Sequence, residues 1–157
     1  MNDLNTERLG KLAIEALERT AFVVAEPADE DFLDELPECD WHTKIEYSGP
    51  ESGTVILSGS SGFLVELASS LLGVCAEDVR TDGEGLDALR EMTNIVGGSV
   101  VTVLGGAHCK LSLGLPEVVD SSAVSDGSTC VHCILDAEGE RLDIYWIPKT
   151  ESSSRAA

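Results

Sequence analysis

An α+β fold is predicted by three observations. Apolar residues recur at helical spacing in three separate segments, other segments alternate at strand spacing, and the last third is almost wholly β in character. Helices and antiparallel hairpins are thus segregated along the chain, which argues against a doubly wound α/β sheet. With 157 residues, 43% of them apolar, the chain is expected to form a single domain over residues 1–157. Its core should span about 6–148, leaving a small, polar, frayed tail over 149–157.

The elements follow in order. Residues from about 6 to 24 form the first predicted helix, with Leu9, Leu12, Ala13, Ala16, Leu17, Ala21 and Val24 on one face. Pro27 and the acidic run Asp29-Glu30-Asp31 are expected to end it. Segment 28–40 reads as an acidic loop, with a short helical turn around Phe32 and Leu36 as the alternative. Trp41 to Tyr47 alternates as a half-buried strand, Ser48-Gly49-Pro50 is its turn, and Thr54 to Leu57 is its hairpin partner. Ser60-Ser61-Gly62 starts a second helix, which runs from Phe63 to Leu72 and stops at Gly73. A loop over 82–85 leads into the third helix, about Leu86 to Leu104, closed by Gly105-Gly106. Residues 107–113 are a candidate strand ended by Leu115-Pro116, and 129–136 and 142–147 form a hairpin across 137–140. No internal repeat is evident.

Charge narrows the function. Ten Lys and Arg stand against 29 Asp and Glu, a net charge of −19 and a pI of about 4.2. Such a surface repels phosphate backbones and anionic lipid, so nucleic acid and membrane surfaces are poor partners. No apolar run approaches the roughly 20 residues that a spanning helix needs, and the N-terminus lacks the basic start and apolar stretch of a secretory signal. Five cysteines form no disulfide framework, so a reducing cytoplasm is the expected location.

The third helix is the most informative segment. At about 100° per residue, Asp87, Glu91, Asn94 and Gly98 fall within roughly 60° of one another. Leu89, Met92, Val96, Val100 and Val103 lie opposite and would hold the helix on a core. The polar stripe then faces outward. A Glu and an Asn at this spacing can grip one cation and orient one water, which suggests hydrolysis of a group that another molecule brings. Gly97 and Gly98 cost the helix about 1 kcal/mol each relative to Ala. They serve either close approach by a partner or simply packing near a helix end.

This stripe resembles the active helix of the CheC/CheX/FliY family of chemotaxis phosphatases, most nearly the single-motif CheX branch. That helix reads Asp or Ser, three residues, Glu, two residues, Asn, as do Asp87, Glu91 and Asn94 here. Gly98 falls where the family helix usually has glycine, and Leu113-Gly-Leu-Pro116 resembles the family's Leu-x-x-Pro stretch. Gly53-Thr-Val-Ile-Leu57 and Leu71-Leu72-Gly73 also fit, so the likeness covers roughly residues 6 to 148. Ser99 stands where many such helices carry Asn, which changes the rim of the site. One Glu/Asn pair is present, unlike the two-site CheC form.

The resemblance implies helices packed on a largely antiparallel sheet, and hydrolysis of the aspartyl phosphate on a CheY-like response regulator. The receiver would bring the acyl phosphate, a Mg²⁺ ion and a lysine, so this chain itself needs no cofactor or metal. Asn94 would position the attacking water, and Glu91 would bind the receiver's lysine. Asp87 and Gly98 would contact the partner, although Asp87 also suits a first helical turn for electrostatic reasons alone. The resemblance further implies a homodimer joined through its sheets, with the hairpin over 129–147 as the candidate edge. The alternatives are a non-catalytic receiver-binding or flagellar-switch module, and a purely structural subunit.

Other signals are weaker. Cys130 and Cys133, with His108, Cys109 and His132 nearby, invite a zinc reading, but on a strand a spacing of three sends side chains to opposite faces. Buried thiols in a β core account for them better. The glycines over 53–62 lack the Gly-Lys-Ser or Gly-Lys-Thr of a phosphate loop. No nucleophile elbow is present, and His42 and His108 are lone histidines with structural roles expected.

Overall fold

The computed structural model describes residues 4–105, 110–124 and 130–149. Three α-helices, α1 (Thr6–Ala21), α2 (Ser61–Leu72) and α3 (Leu86–Gly105), pack on one face of a seven-stranded sheet. Its strands are β1 (Glu26–Pro27), β2 (Trp41–Ser48), β3 (Ser52–Gly59), β4 (Ser112–Leu113), β5 (Glu117–Val119), β6 (Val131–Ala137) and β7 (Glu140–Lys149). The order is β1-β6-β7-β3-β2-β4, with β5 also paired to β2, and all pairings are antiparallel. The α+β class and the antiparallel sheet are as expected.

Local chemistry explains most element ends. Asn5 caps α1 by accepting from the Arg8 N–H at 2.9 Å. Ser60 caps α2, and Gly73 closes it at φ 71°, in the left-handed region. Glu138 and Gly139, at φ 53° and 93°, make the two-residue turn between β6 and β7 that suits strand twist. Segment 28–40 contains one short 3₁₀ turn, Glu30–Glu35, capped by Asp29.

Several boundaries differ from expectation. Helix α1 ends at Ala21 because Phe22 turns left-handed, at φ 56°, well before Pro27. Val24 therefore leaves the apolar face and is exposed. Pro27 lies instead in β1, too short to show any pattern. Lys149, expected in the tail, belongs to β7, opposite Ser52. Of the strand expected over 107–113, residues 107–109, including His108 and Cys109, lie outside the described residues, and of 110–113 Ser112–Leu113 is strand. The residues from 150 onward lie outside them too.

A repeat invisible in the residues is present in the elements. Helix α1, edge strand β1 and hairpin β2–β3 are followed by α3, edge strands β4 and β5, and hairpin β6–β7. Strands β3 and β7 meet at the centre of the sheet. Each half's helix and edge strands pack on the other half's hairpin: α1 and β1 on β6, α3 with β4 and β5 on β2. The halves are interlocked, which makes one core rather than two.

Register decides what faces that core. Thr43, Leu57, Ile144 and Cys133 form one cross-strand row beneath the helices, and Ile45, Val55, Trp146 and Val131 form the next. Leu9, Leu17, Phe63, Leu67, Leu89, Met92 and Val96 close over these rows with no exposed surface. Each such side chain contributes about 1.5–3 kcal/mol relative to remaining in water. Cys133 points into this layer, where burial pushes its thiol up to about 12. Its neighbour His132 points the other way, as strand geometry requires of adjacent residues. Cys130 precedes the strand and is exposed, not part of the β core as expected.

The opposite face of the sheet carries a buried carboxylate. Asp143, 2% exposed, accepts from Arg141 Nε at 2.8 Å and Nη2 at 3.1 Å, and lies 2.9 Å from His132 Nε2. The Cys39 thiol sits 3.6 Å away, its own pKa raised to about 12 by burial and by this charge. Burial raises the Asp143 pKa, but the hydrogen bonds from His132 and Arg141 outweigh it, so the group titrates below the usual carboxylate range. A depressed folded-state value means stabilisation that is complete above the unfolded value of about 3.9 and lost as pH falls through the folded one. Asp143→Asn should therefore cost on the order of 3 kcal/mol at neutral pH. Denaturant titration should show that deficit narrowing as pH drops below the ordinary carboxylate range.

Candidate functional site

Helix α3 begins where the sequence places it. A π-turn over Thr81–Gly85 leads into it, held by the Arg80 carbonyl accepting from Gly83 and Gly85 at 3.0 and 2.9 Å. The Glu84 carboxylate closes the same turn on the Arg80 N–H, and that bond holds its pKa below the ordinary range. Leu86 to Gly105 then runs unbroken.

The helix is fixed in rotation by two contacts with β2. Thr93, fully buried, donates its hydroxyl to the Leu89 carbonyl at 2.7 Å and meets the Thr43 hydroxyl. One turn on, Gly97 sits so close to the sheet that a Cβ there would lie 2.7 Å from Ile45 Cγ2. Leu89, Met92, Val96 and Val100 are buried alongside, and Val103, expected with them, is only partly covered.

With this face down, the polar stripe is turned outward. Asp87, Glu91 and Asn94 are all exposed. Among the described residues, neither Glu91 nor Asn94 engages its side chain in a hydrogen bond or ion pair. Asp87 differs, since its carboxylate is already paired with Arg90 Nη2. Glu91 and Asn94 are separated by about 4.5 Å of helical rise, so one docked group could touch both.

The two glycines separate cleanly. Gly97 is needed by the fold, because a side chain would strike Ile45. At Gly98 a Cβ would meet nothing within 4 Å. The packing account thus holds for Gly97 and fails for Gly98, whose missing side chain leaves open surface one turn beyond Asn94. That surface continues past the predicted stripe. Thr102, one further turn along, is exposed and donates to the Gly98 carbonyl at 2.9 Å. Gly98, Ser99 and Thr102 form one wall of a groove whose other wall is α1. Helical period could have added Thr102 from sequence, but the α1 side depends on tertiary packing. Ser99 turns its hydroxyl back to the Ile95 carbonyl at 3.3 Å.

Among the described residues, no three His, Cys, Asp or Glu side chains converge as the ligands of one metal ion would. Nor is any helix of the described residues long and apolar enough to cross a membrane.

A family model described as chemotaxis phosphatase CheX matches residues 42–136. No curated protein matches the chain. Among solved structures, chemotaxis protein CheX from Vibrio vulnificus is similar at a TM-score of 0.71 and 16% identity, covering 95% of this chain and 99% of that one. The CheX of a CheX–CheY–BeF₃–Mg²⁺ complex from Borrelia burgdorferi gives 0.68 and 16%, covering 96% and 100%. The FliM middle domain from a Vibrio species gives 0.57 and 9%, covering 96% and 94%. At these identities the structural likeness establishes the fold.

The adjacent glycines should respond in opposite senses to the same substitution. Gly97→Ala should destabilise by about 1–3 kcal/mol through overpacking on Ile45. Gly98→Ala should stabilise by up to about 1 kcal/mol through helix propensity. Chemical denaturation of the two variants beside the parent reads both.

Proposed function

The chain belongs to the CheX family of chemotaxis phosphatases, and on that premise we propose that it hydrolyses the aspartyl phosphate of a CheY-like response regulator and so ends its signal. The observation that carries this reading is the pair Glu91 and Asn94, exposed and unengaged on a helix that Thr93 and Gly97 clamp to the sheet. Side chains on a rigid element are positioned better than side chains on a loop.

In the reaction, water oxygen attacks phosphorus, the bond from phosphorus to the aspartyl oxygen breaks, and the carboxylate leaves. The proton of the water ends on inorganic phosphate. Such transfer demands alignment and charge stabilisation more than a general base. The Asn94 amide oxygen accepts a hydrogen bond from the water and its NH₂ group can donate, fixing the line of attack. Glu91 makes a charge-assisted bond with the receiver's lysine and fixes the docked register. Gly98 lets the receiver approach the helix backbone, and Asp87 flanks the contact. The magnesium ion is assigned to the receiver; the Borrelia complex holds CheX, CheY, BeF₃ and Mg²⁺ together.

The cytoplasm is the proposed compartment, and a homodimer the proposed assembly. Strand β6 supports the latter: among the described residues its outer edge is covered by β1 at Leu135 and Asp136, with Ala28 bonding Ile134 at 2.9 Å. On that edge no other described residue pairs with its first residues, and a second copy could extend the sheet there.

The test follows the decay of a phosphorylated response regulator from the same organism after the phosphoryl donor is removed. The parent protein should speed decay, and Asn94→Ala should lose on the order of a hundredfold of that acceleration while still binding. A parent that binds phosphorylated regulators yet leaves their lifetimes unchanged would make this a receiver-binding or flagellar-switch module instead.

A further inference from the structure

The stripe Asp87, Glu91, Asn94 and Gly98 is too narrow to hold a protein partner. A stable interface buries about 800 Å² on each side, roughly 20 or more residues. Further surface must join the stripe, and the open side of Gly98 marks where. Gly98 forms part of a groove of about 480 Å³ between α1 and α3, with Glu15, Arg19 and Thr20 on one wall and Ile95 and Thr102 on the other. Its near end lies about 6 Å of helical rise from Asn94, well within one receiver's footprint.

Charge identifies what the groove would accept. The chain carries −19 overall, yet Arg19 is exposed at this groove and has no ion-pair partner among the described residues. An acidic side chain of the receiver would be repelled by most of this surface, Glu15 of the groove included. An unpaired guanidinium beside the stripe is where that repulsion can be reversed.

We propose that the α1–α3 groove is the second half of the docking surface and sets partner choice, with Arg19 binding an acidic side chain on the receiver. This rests on the phosphatase reading for its partner but not for its chemistry. Arg19 is a specificity residue and touches no reacting atom.

Regulator dephosphorylation by the parent, Arg19→Lys and Arg19→Glu is measured against regulator concentration at two salt concentrations. Binding of the BeF₃–Mg²⁺ form of the same regulator is titrated alongside. Arg19→Glu should raise KM and the dissociation constant on the order of tenfold, with kcat within about twofold. Arg19→Lys should recover most of the affinity, and raising salt should shrink the difference in KM between the parent and Arg19→Glu. Arg19→Lys should melt with the parent and Arg19→Glu slightly lower, since Arg19 is the cation in the last turn of α1. Turnover by Arg19→Glu at the parent's KM overturns the groove and leaves the phosphatase intact. Binding that depends on Arg19 without any hydrolysis keeps the groove and overturns the phosphatase. A parent that binds no activated regulator overturns both.

Discussion

The seat of α3 on β2 is the constraint on which the rest depends. Thr93 against Thr43 and Gly97 against Ile45 fix the helix in height and in rotation. A rotation of one residue is about 100°, enough to turn Asn94 into the core and Val96 into water. The same two contacts that make the helix a piece of core therefore make its far face a site. Stability and function are coupled through geometry, while the residues that serve each remain distinct.

The interlocked halves strengthen that seat. Helix α3 rests on the hairpin of the first half, and α1 rests on that of the second, so neither can lift without exposing the other half's hairpin. The halves are not equal in chemistry. Gly10 faces Cys133 on β6 much as Gly97 faces Ile45 on β2. Counting back by the same steps, the places of Glu91 and Asn94 fall on Leu4 and Glu7. Leu4 is buried, so the first half offers no equivalent pair. The fold is doubled and the site is single.

Charge is divided between the two faces of the sheet by the same logic. On the far side, Asp143 is buried but fully engaged by Arg141 and His132, an ionic knot that holds strands β6 and β7 together. On the helix side, the carboxylate of Glu91 and the amide of Asn94 are left without partners among the described residues. A polar group that is satisfied internally stabilises the monomer. One that is unsatisfied but hydrated costs little until a partner arrives, and is then available to it.

Helix period alone placed Asp87, Glu91, Asn94 and Gly98 on one face, because 3.6 residues per turn is a local property of the chain. Caps and turns were equally legible: Ser60, Gly73 and the Glu138–Gly139 turn act through hydrogen bonds and dihedral angles a few residues long. The sequence also carried the α+β class and the family likeness. It could not show where α1 would end, since the left-handed turn at Phe22 has no glycine to announce it. Nor could it show β1, β4 and β5, whose two or three residues are strands only because a neighbour pairs with them. The distinction between Gly97 and Gly98, the knot around Asp143 and the groove beside Arg19 were decided by tertiary structure. Each is made by residues far apart in the chain, brought together by packing that no local pattern encodes.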